Sequence, residues 1–429
     1  MRDYRQITLR SVDGFKTQLL AWAQQFDDIV WLDSNKCQQP HTSYDSILAV
    51  DAMTGIQTDS VNGFKKLEEY QSITNDWIFG YLSYDLKNDM EPLKSENFDG
   101  LNFPDLCFFQ PKRLFLFKED RLTIRYLNIV SDEVDSDLES INAFSLQNNL
   151  SHTNDIQIES RISKKQYLSK VTSFLSHIHR GDIYEANFCQ EFYAQAKLNS
   201  LETYFKLNKI ASAPFSTFLK MGDKFLLSSS PERYLKKEGL DIISQPIKGT
   251  TKRSENPEED TDLKTILERD PKERSENIMI VDLVRNDLSK IAQKGTVNVT
   301  ELCQIHSFKQ VHHMISTVQA KALSSVTPVD IIAATFPMGS MTGAPKISAM
   351  KIIETLEDTK RGLYSGAVGY FTPKGNFDFN VVIRSILYNA TKSYVSFSVG
   401  SAITSKSNPE KEYEECLVKA KAMRSVLEN

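Results

Sequence analysis

The sequence predicts an α+β fold built on large antiparallel sheets. Its short apolar or alternating runs come in adjacent groups, not in strict strand–helix alternation, which disfavours a doubly wound parallel sheet. At 429 residues the chain is long enough for two or three domain-sized units or for one large intertwined body. With 40% hydrophobic and 25% charged residues it is ordinary globular material, which excludes disorder and collagen-like repetition.

The first ten residues, MRDYRQITLR, hold four charges and no apolar core, so they are not a secretory signal. The runs DDIVWLDS, SILAVDA, WIFGYLSYDL, DLCFFQPKRLFLF and RLTIRYLNIV then suit strands, and residues 61–70 have helical spacing. Polar residues dominate from about 131. SDEVDSDLES reads as a solvated connector and LQNNLSHTND as a loop. We therefore divide the chain into an N-terminal region (1–130), a polar connector (131–160) and a C-terminal domain (161–425). In the last of these, 163–180 reads as an amphipathic helix closed by Gly181, and 273–287, 327–334, 346–357 and 409–427 read as further helices. Residues 224–229, 367–372, 381–389 and 394–399 read as strands.

The 51 basic and 56 acidic side chains leave a net charge of −5, without a long basic run. This argues against a nucleic-acid or membrane-surface partner. Cys37, Cys107, Cys189, Cys303 and Cys416 stand far apart with no CxxC pair, which fits a reducing compartment and excludes a disulfide scaffold. No apolar stretch reaches spanning length. The expected location is cytoplasmic.

Four constellations could carry chemistry. Glu273 and Glu276, and again Glu412 and Glu415, lie three apart in helical windows, which places each pair on one helix face. Oxygen ligands from two helices would suit Mg²⁺, although each pair read alone equally suits a solvated face. Lys248 lies in Pro-Ile-Lys-Gly-Thr, where desolvation could lower its pKa until the amine is nucleophilic; a surface-turn lysine is the alternative. FPMGSMTGAPK places glycines and Lys346 before a helix, either as an anion site built from backbone amides or as an ordinary turn. It is not a Walker A motif. Finally, Glu232 in SSSPERY is a candidate general acid or an Arg-paired structural carboxylate, and His312 and His313 are candidates for catalysis or for packing.

Taken in order, GDIYEANFCQEF, SSSPERY, PIKGT, ERSENIMIVDLVRNDL, VHHMIST, FPMGSMTGAPK, RGLYSGAVGYF, VVIRSI and PEKEYEECLVKAKAM resemble the chorismate-utilising enzymes across most of residues 160–425. The family includes the anthranilate, aminodeoxychorismate, isochorismate and salicylate synthases. The resemblance implies two interleaved subdomains with antiparallel sheets packed face to face and helices outside. It implies Mg²⁺ held by Glu276 and Glu415, with Glu273 and Glu412 ligating directly or through water. Lys248 resembles the aminodeoxychorismate synthase component I branch, since alanine is usual at that position in the other branches. That branch implies a covalent Lys248 adduct, Glu232 as acid and base, and His313 as its assistant. Tyr364, Arg384 and Gly400 would meet the enolpyruvyl carboxylate, and Gly249, Thr250, Ser340 and Thr342 would border the substrate. With no glutaminase nucleophile elbow and no fused lyase expected, ammonia would come from a separate glutamine amidotransferase subunit. Anthranilate synthase component I and a non-catalytic paralogue are the alternatives. Some members hold tryptophan near the region of Asp33, Ser34 and Asn35. The pattern departs from the family at Glu185, where glutamine is common and a conservative effect is expected, and in SVGSAIT around Gly400.

Overall fold

The computed structural model describes residues 1–37, 41–144, 156–309 and 311–428. Chain order begins with β1 (Arg2–Thr8), α1 (Val12–Trp22), β2 (Asp28–Asp33), β3 (Ser46–Thr58), α2 (Gly63–Thr74), β4 (Ile78–Leu82), α3 (Lys87–Met90), β5 (Leu106–Lys118), β6 (Arg121–Leu127) and α4 (Val134–Ala143). It continues with β7 (Glu159–Ser160), α5 (Lys164–Arg180), β8 (Glu185–Gln195), α6 (Ser200–Ala211), β9 (Phe215–Met221), β10 (Lys224–Ser230), β11 (Arg233–Glu238), β12 (Asp241–Gln245), β13 (Ile247–Lys252), α7 (Pro257–Arg269) and α8 (Pro271–Ser289). The last part holds β14 (Asn298–Ser307), β15 (Val311–Lys321), α9 (Pro328–Thr335), β16 (Gly343–Ala344), α10 (Lys346–Leu356), β17 (Ala367–Phe371), β18 (Phe377–Val381), β19 (Ser385–Asn389), β20 (Tyr394–Thr404) and α11 (Pro409–Glu428).

The strands form two antiparallel layers. One runs β1–β6–β5–β3–β2–β9–β10–β19–β20–β8. The other runs β5–β4–β17–β18–β11–β12–β15, with β13 and β14 on β15. The long antiparallel pair of β3 and β5 belongs to both. Its ladder shifts register between Ala52 and Thr54, next to Asp51 at φ +63°, where β3 turns from one layer into the other.

Alternation along each strand sorts side chains to two cores. Val30, Ile47, Leu114, Leu219, Leu226 and Leu387 face inward to meet Phe79, Leu235, Ile242, Val368 and Phe379 of the second layer. Their neighbours Trp31, Leu48, Phe115, Phe218, Leu227 and Ile386 face outward under α1, α5, α6 and α11. The layers therefore pack face to face with helices outside, as the resemblance implied. The ladders β2–β9 and β4–β17 knit early strands to late ones. No helix among the described residues is long and apolar enough to cross a membrane.

Two local expectations change. The stretch read as a solvated connector contains α4, whose Ile141 is buried and whose Asp137 accepts from Arg113 Nε at 2.9 Å. The loop expected at LQNNLSHTND lies outside the described residues. The single strand expected over 381–389 is broken between β18 and β19 by Arg384 at φ +52°.

Candidate active site

Lys248 owes its position to an interruption in β13. Ile247 pairs with Ile315 and Thr250 with His313, and the register breaks between them. Gly249 in that break has φ +87°, a conformation glycine adopts without steric cost. An added Cβ there would stand 3.1 Å from Glu273 Oε2. Such a bulge re-aims a side chain, and here Lys248 lines a cavity of about 740 Å³. Its Nζ donates to Glu185 Oε1 at 2.9 Å. Glu185 opens β8, is 1% exposed, and is flanked by Ala344 of β16 and Thr404 of β20. Burial by itself would lower the Lys248 pKa, but Glu185, Glu276 and Glu232 outweigh it and raise the value. The lysine thus rests as an ammonium ion, not as the free amine expected from desolvation. Glu185 is its ion-pair partner and no conservative bystander.

Glu232 lies between β10 and β11 and is 4% exposed. Burial pushes its pKa up to about 7, against the restraining effect of the Ser340 hydroxyl, Lys248 and the Ile247 amide. At neutral pH it can therefore give or take a proton. His313 Nδ1 lies 2.8 Å from Thr250 Oγ1. Burial, reinforced by Arg384 and His312, lowers its pKa to about 3. The ring is neutral at physiological pH and, among the described contacts, engages Thr250 and not Glu232.

The Asp270 carboxylate caps α8, accepting from the amides of Lys272 and Glu273 at 2.8 and 3.0 Å. This start sets Glu273 and Glu276 one turn apart toward the cavity, and Glu415 of α11 joins them in its lining. Glu412 does not line it. Its Oε2 accepts from Ser401, and its Oε1 accepts from Lys272 Nζ at 3.4 Å. Lys272 is also 3.8 Å from Glu276. Burial pushes the Glu276 pKa up to about 7 and raises that of Glu273. For Glu415 burial acts upward too, but Lys419 overcomes it and the value is lowered. Among the described residues, no three His, Cys, Asp or Glu side chains are close enough to hold a metal ion. The Lys272 ammonium supplies the positive charge in their midst. The donor set still fits a hard divalent cation: it is all oxygen, and Glu276 Oε1 is buried without a hydrogen-bond partner.

Tyr364, Arg384 and Gly400 also line the cavity. The positive φ of Arg384 costs a non-glycine residue about 1–2 kcal/mol. Among the described residues no carboxylate lies within ion-pair distance of its guanidinium, so it is available to an anionic ligand. At Gly400 a Cβ would stand 2.6 Å from Asn187 Oδ1 and 2.7 Å from Cys189 Sγ, so only glycine lets β20 approach β8 this closely. Ser340 lines the cavity, as do Gly249 and Thr250, but Thr342 does not. The Thr342 hydroxyl donates to Met338 O and Gly339 O, and the Met341 and Thr342 amides are bonded to the same carbonyls. Those two amides are spent within the turn and Lys346 pairs with Asp287, so neither they nor that lysine is free for an anion. The sequence reading missed Lys272, Lys419 and Asn187. The i, i+4 spacings Lys272/Glu276 and Glu415/Lys419 could have flagged the lysines. Nothing local marked Asn187.

A family profile described as chorismate binding enzyme matches residues 27–425. The chain is 34% identical over 352 residues to aminodeoxychorismate synthase component 1 of Escherichia coli, covering 81% of this chain and 76% of that protein. It is 33% identical over 361 residues to anthranilate synthase component 1 of Thermus thermophilus, covering 82% and 77%. Against the chloroplastic aminodeoxychorismate synthase of Arabidopsis thaliana it is 34% identical over 384 residues, covering 83% of this chain but 41% of the relative, so it spans less than half of that plant protein. The crystal structure of anthranilate synthase component I from Streptococcus pneumoniae superposes with a TM-score of 0.78 at 25% identity, covering 91% and 95% of the two chains. With the profile spanning nearly the whole chain and the motif residues gathered around one cavity, this chain belongs to the chorismate binding enzyme family.

Proposed function

We propose that this chain aminates chorismate to 4-amino-4-deoxychorismate, using ammonia delivered by a separate glutaminase subunit. The observation that carries the reading is Lys248, a potential nucleophile in the same cavity as Glu232, whose carboxyl still holds a proton near neutrality. Chorismate offers two carboxylates and a C4 hydroxyl that leaves only as water. The Arg384 guanidinium suits a carboxylate, to which it can donate two parallel hydrogen bonds. Glu232 gives its proton to the departing hydroxyl. Lys248 adds at C2 as that bond breaks, ammonia then adds at C4 as the lysine departs, and Glu232 recovers a proton from the new amine. Neutral His313 holds Thr250 at the rim of the cavity. Glu276 and Glu415 would hold Mg²⁺, with Glu273 reaching it through water and Glu412 behind them, and the bound ion would supply Lewis-acid polarisation of a substrate carboxylate.

The similarity to the Thermus thermophilus protein supports a second reading, anthranilate synthesis. Incubation of the chain with chorismate, Mg²⁺ and ammonium salt, with products separated by mass, distinguishes the two. Aminodeoxychorismate with its pyruvyl ether intact is expected. Anthranilate plus pyruvate would move the protein to the second reading. A raised melting temperature with chorismate but no product would make it a binding protein. In Lys248→Ala, amination should fall by at least ~100-fold while chorismate still raises the melting temperature.

A further inference from the structure

We propose that Glu185 is a positioning residue for Lys248: it holds the ammonium in the cavity, receives its proton, and so sets when the lysine can attack. The inference rests on Lys248 being the nucleophile. An ammonium ion has no lone pair, so the 2.9 Å pair seen here is a resting state that must pass its proton on before any C–N bond can form. The charged groups facing Lys248 are Glu185 on β8, Glu276 on α8 and Glu232 between β10 and β11, with Glu273 and Glu415 farther out. Glu232 is committed to the leaving hydroxyl, and the glutamates of α8 and α11 to a cation. Glu185 is the carboxylate that remains, and it is the one in direct contact.

Its setting suits the task. The β16 and β20 ladders fix the first residue of β8 on both sides. Gly343 presses so close that a Cβ there would stand 2.2 Å from Glu185 O. The backbone that carries the carboxylate is therefore held firmly beside Lys248. The 2.9 Å hydrogen bond runs to Oε1, which takes the proton along it, while Oε2 is buried without a hydrogen-bond partner, so among the described residues no other group competes for this carboxylate.

The proton count closes. Lys248 ammonium and Glu185 carboxylate become amine and carboxylic acid. The amine lone pair forms the N–C2 bond, the ring double bonds shift, and the C4–O pair leaves on an oxygen that takes the Glu232 proton and departs as water. Ammonia forms the N–C4 bond, and the N–C2 pair returns to Lys248 as neutral amine. The C4 ammonium gives one proton to Glu232, and Glu185 returns its own to Lys248. Chorismate and ammonia are consumed, and product and water are released.

The test is Glu185→Gln, which keeps the shape and the acceptor oxygen but cannot carry the proton, assayed with chorismate, Mg²⁺ and ammonium salt. We expect kcat to fall by ~100-fold or more with the KM for chorismate held within about threefold, and Glu185→Asp to recover part of the loss. A chorismate-induced rise in melting temperature equal to that of the parent protein establishes that the variant is folded. Parental kcat in Glu185→Gln, or a loss confined to KM, overturns the proposal. If Lys248→Ala is inactive while Glu185→Gln is not, only the role of Glu185 falls. If Lys248→Ala is fully active, the covalent reading falls and this one with it.

Discussion

A carboxyl buried without an ion pair of its own titrates late, and Glu232 is the clearest case in this molecule. Its folded pKa of about 7 lies above the ordinary value of 4.5. The folded form thus holds its proton where the unfolded chain has lost it. The stability this contributes is complete below pH 4.5 and is lost as pH rises through 7, a span worth on the order of 3 kcal/mol at most. Glu232→Gln, which cannot ionise, should melt above the parent at pH 8 and close to it at pH 5, while amination falls ~100-fold or more. An equal difference in melting temperature at both pH values would count against the shift. Glu232, Lys248, Arg384 and the glutamates could be named from residue type and motif. The Glu185–Lys248 contact could not, because it spans 63 positions in sequence and two separate strands.

At the scale of elements, helices were the easier reading because their signals are local. The helix expected over 163–180 is α5, with Ser163 and Gln166 forming a capping box and Gly181 at φ +85° closing it. Strand limits were harder. The break at Arg384 answers to the cavity, and the extension of β3 past Ala52 answers to the second layer; neither appears in the apolar pattern. Helix α4 was missed because its surface is polar and its anchor is distant. Arg113 of β5 binds Asp137 of α4, Asp51 of β3 and Glu133 together, and Tyr126 donates to Asp137 at 2.9 Å. Arg113→Met would leave Glu133 and Asp137 without their cation and Asp51 with Lys112 alone. We expect a loss of about 3 kcal/mol, the low end for a broken buried pair because Asp51 and Glu133 keep some solvent. Urea denaturation should show a lower midpoint at unchanged slope, and an unshifted midpoint would assign the cluster to the surface.

At the scale of the molecule, the strands of residues 1–130 have no separate sheet. β2 is bonded to β9 and β4 to β17, and one core lies between layers drawn from both parts of the chain. Thermal unfolding followed by far-UV and by aromatic circular dichroism should therefore give coincident transitions. Two resolved steps would mean that the early and late regions are stable apart. What the sequence determined by itself was the strand-rich α+β class, the helices and the chemical inventory of the site, because periodicity, caps and residue type are properties of neighbouring positions. Only the tertiary structure decided that Lys248 rests charged against Glu185, that Lys272 stands among the glutamates, and that the turn amides near Thr342 are spent. Charge state and hydrogen-bond satisfaction depend on which distant groups share a dry cavity, and the ladders of β8, β13 and β20 bring those groups together.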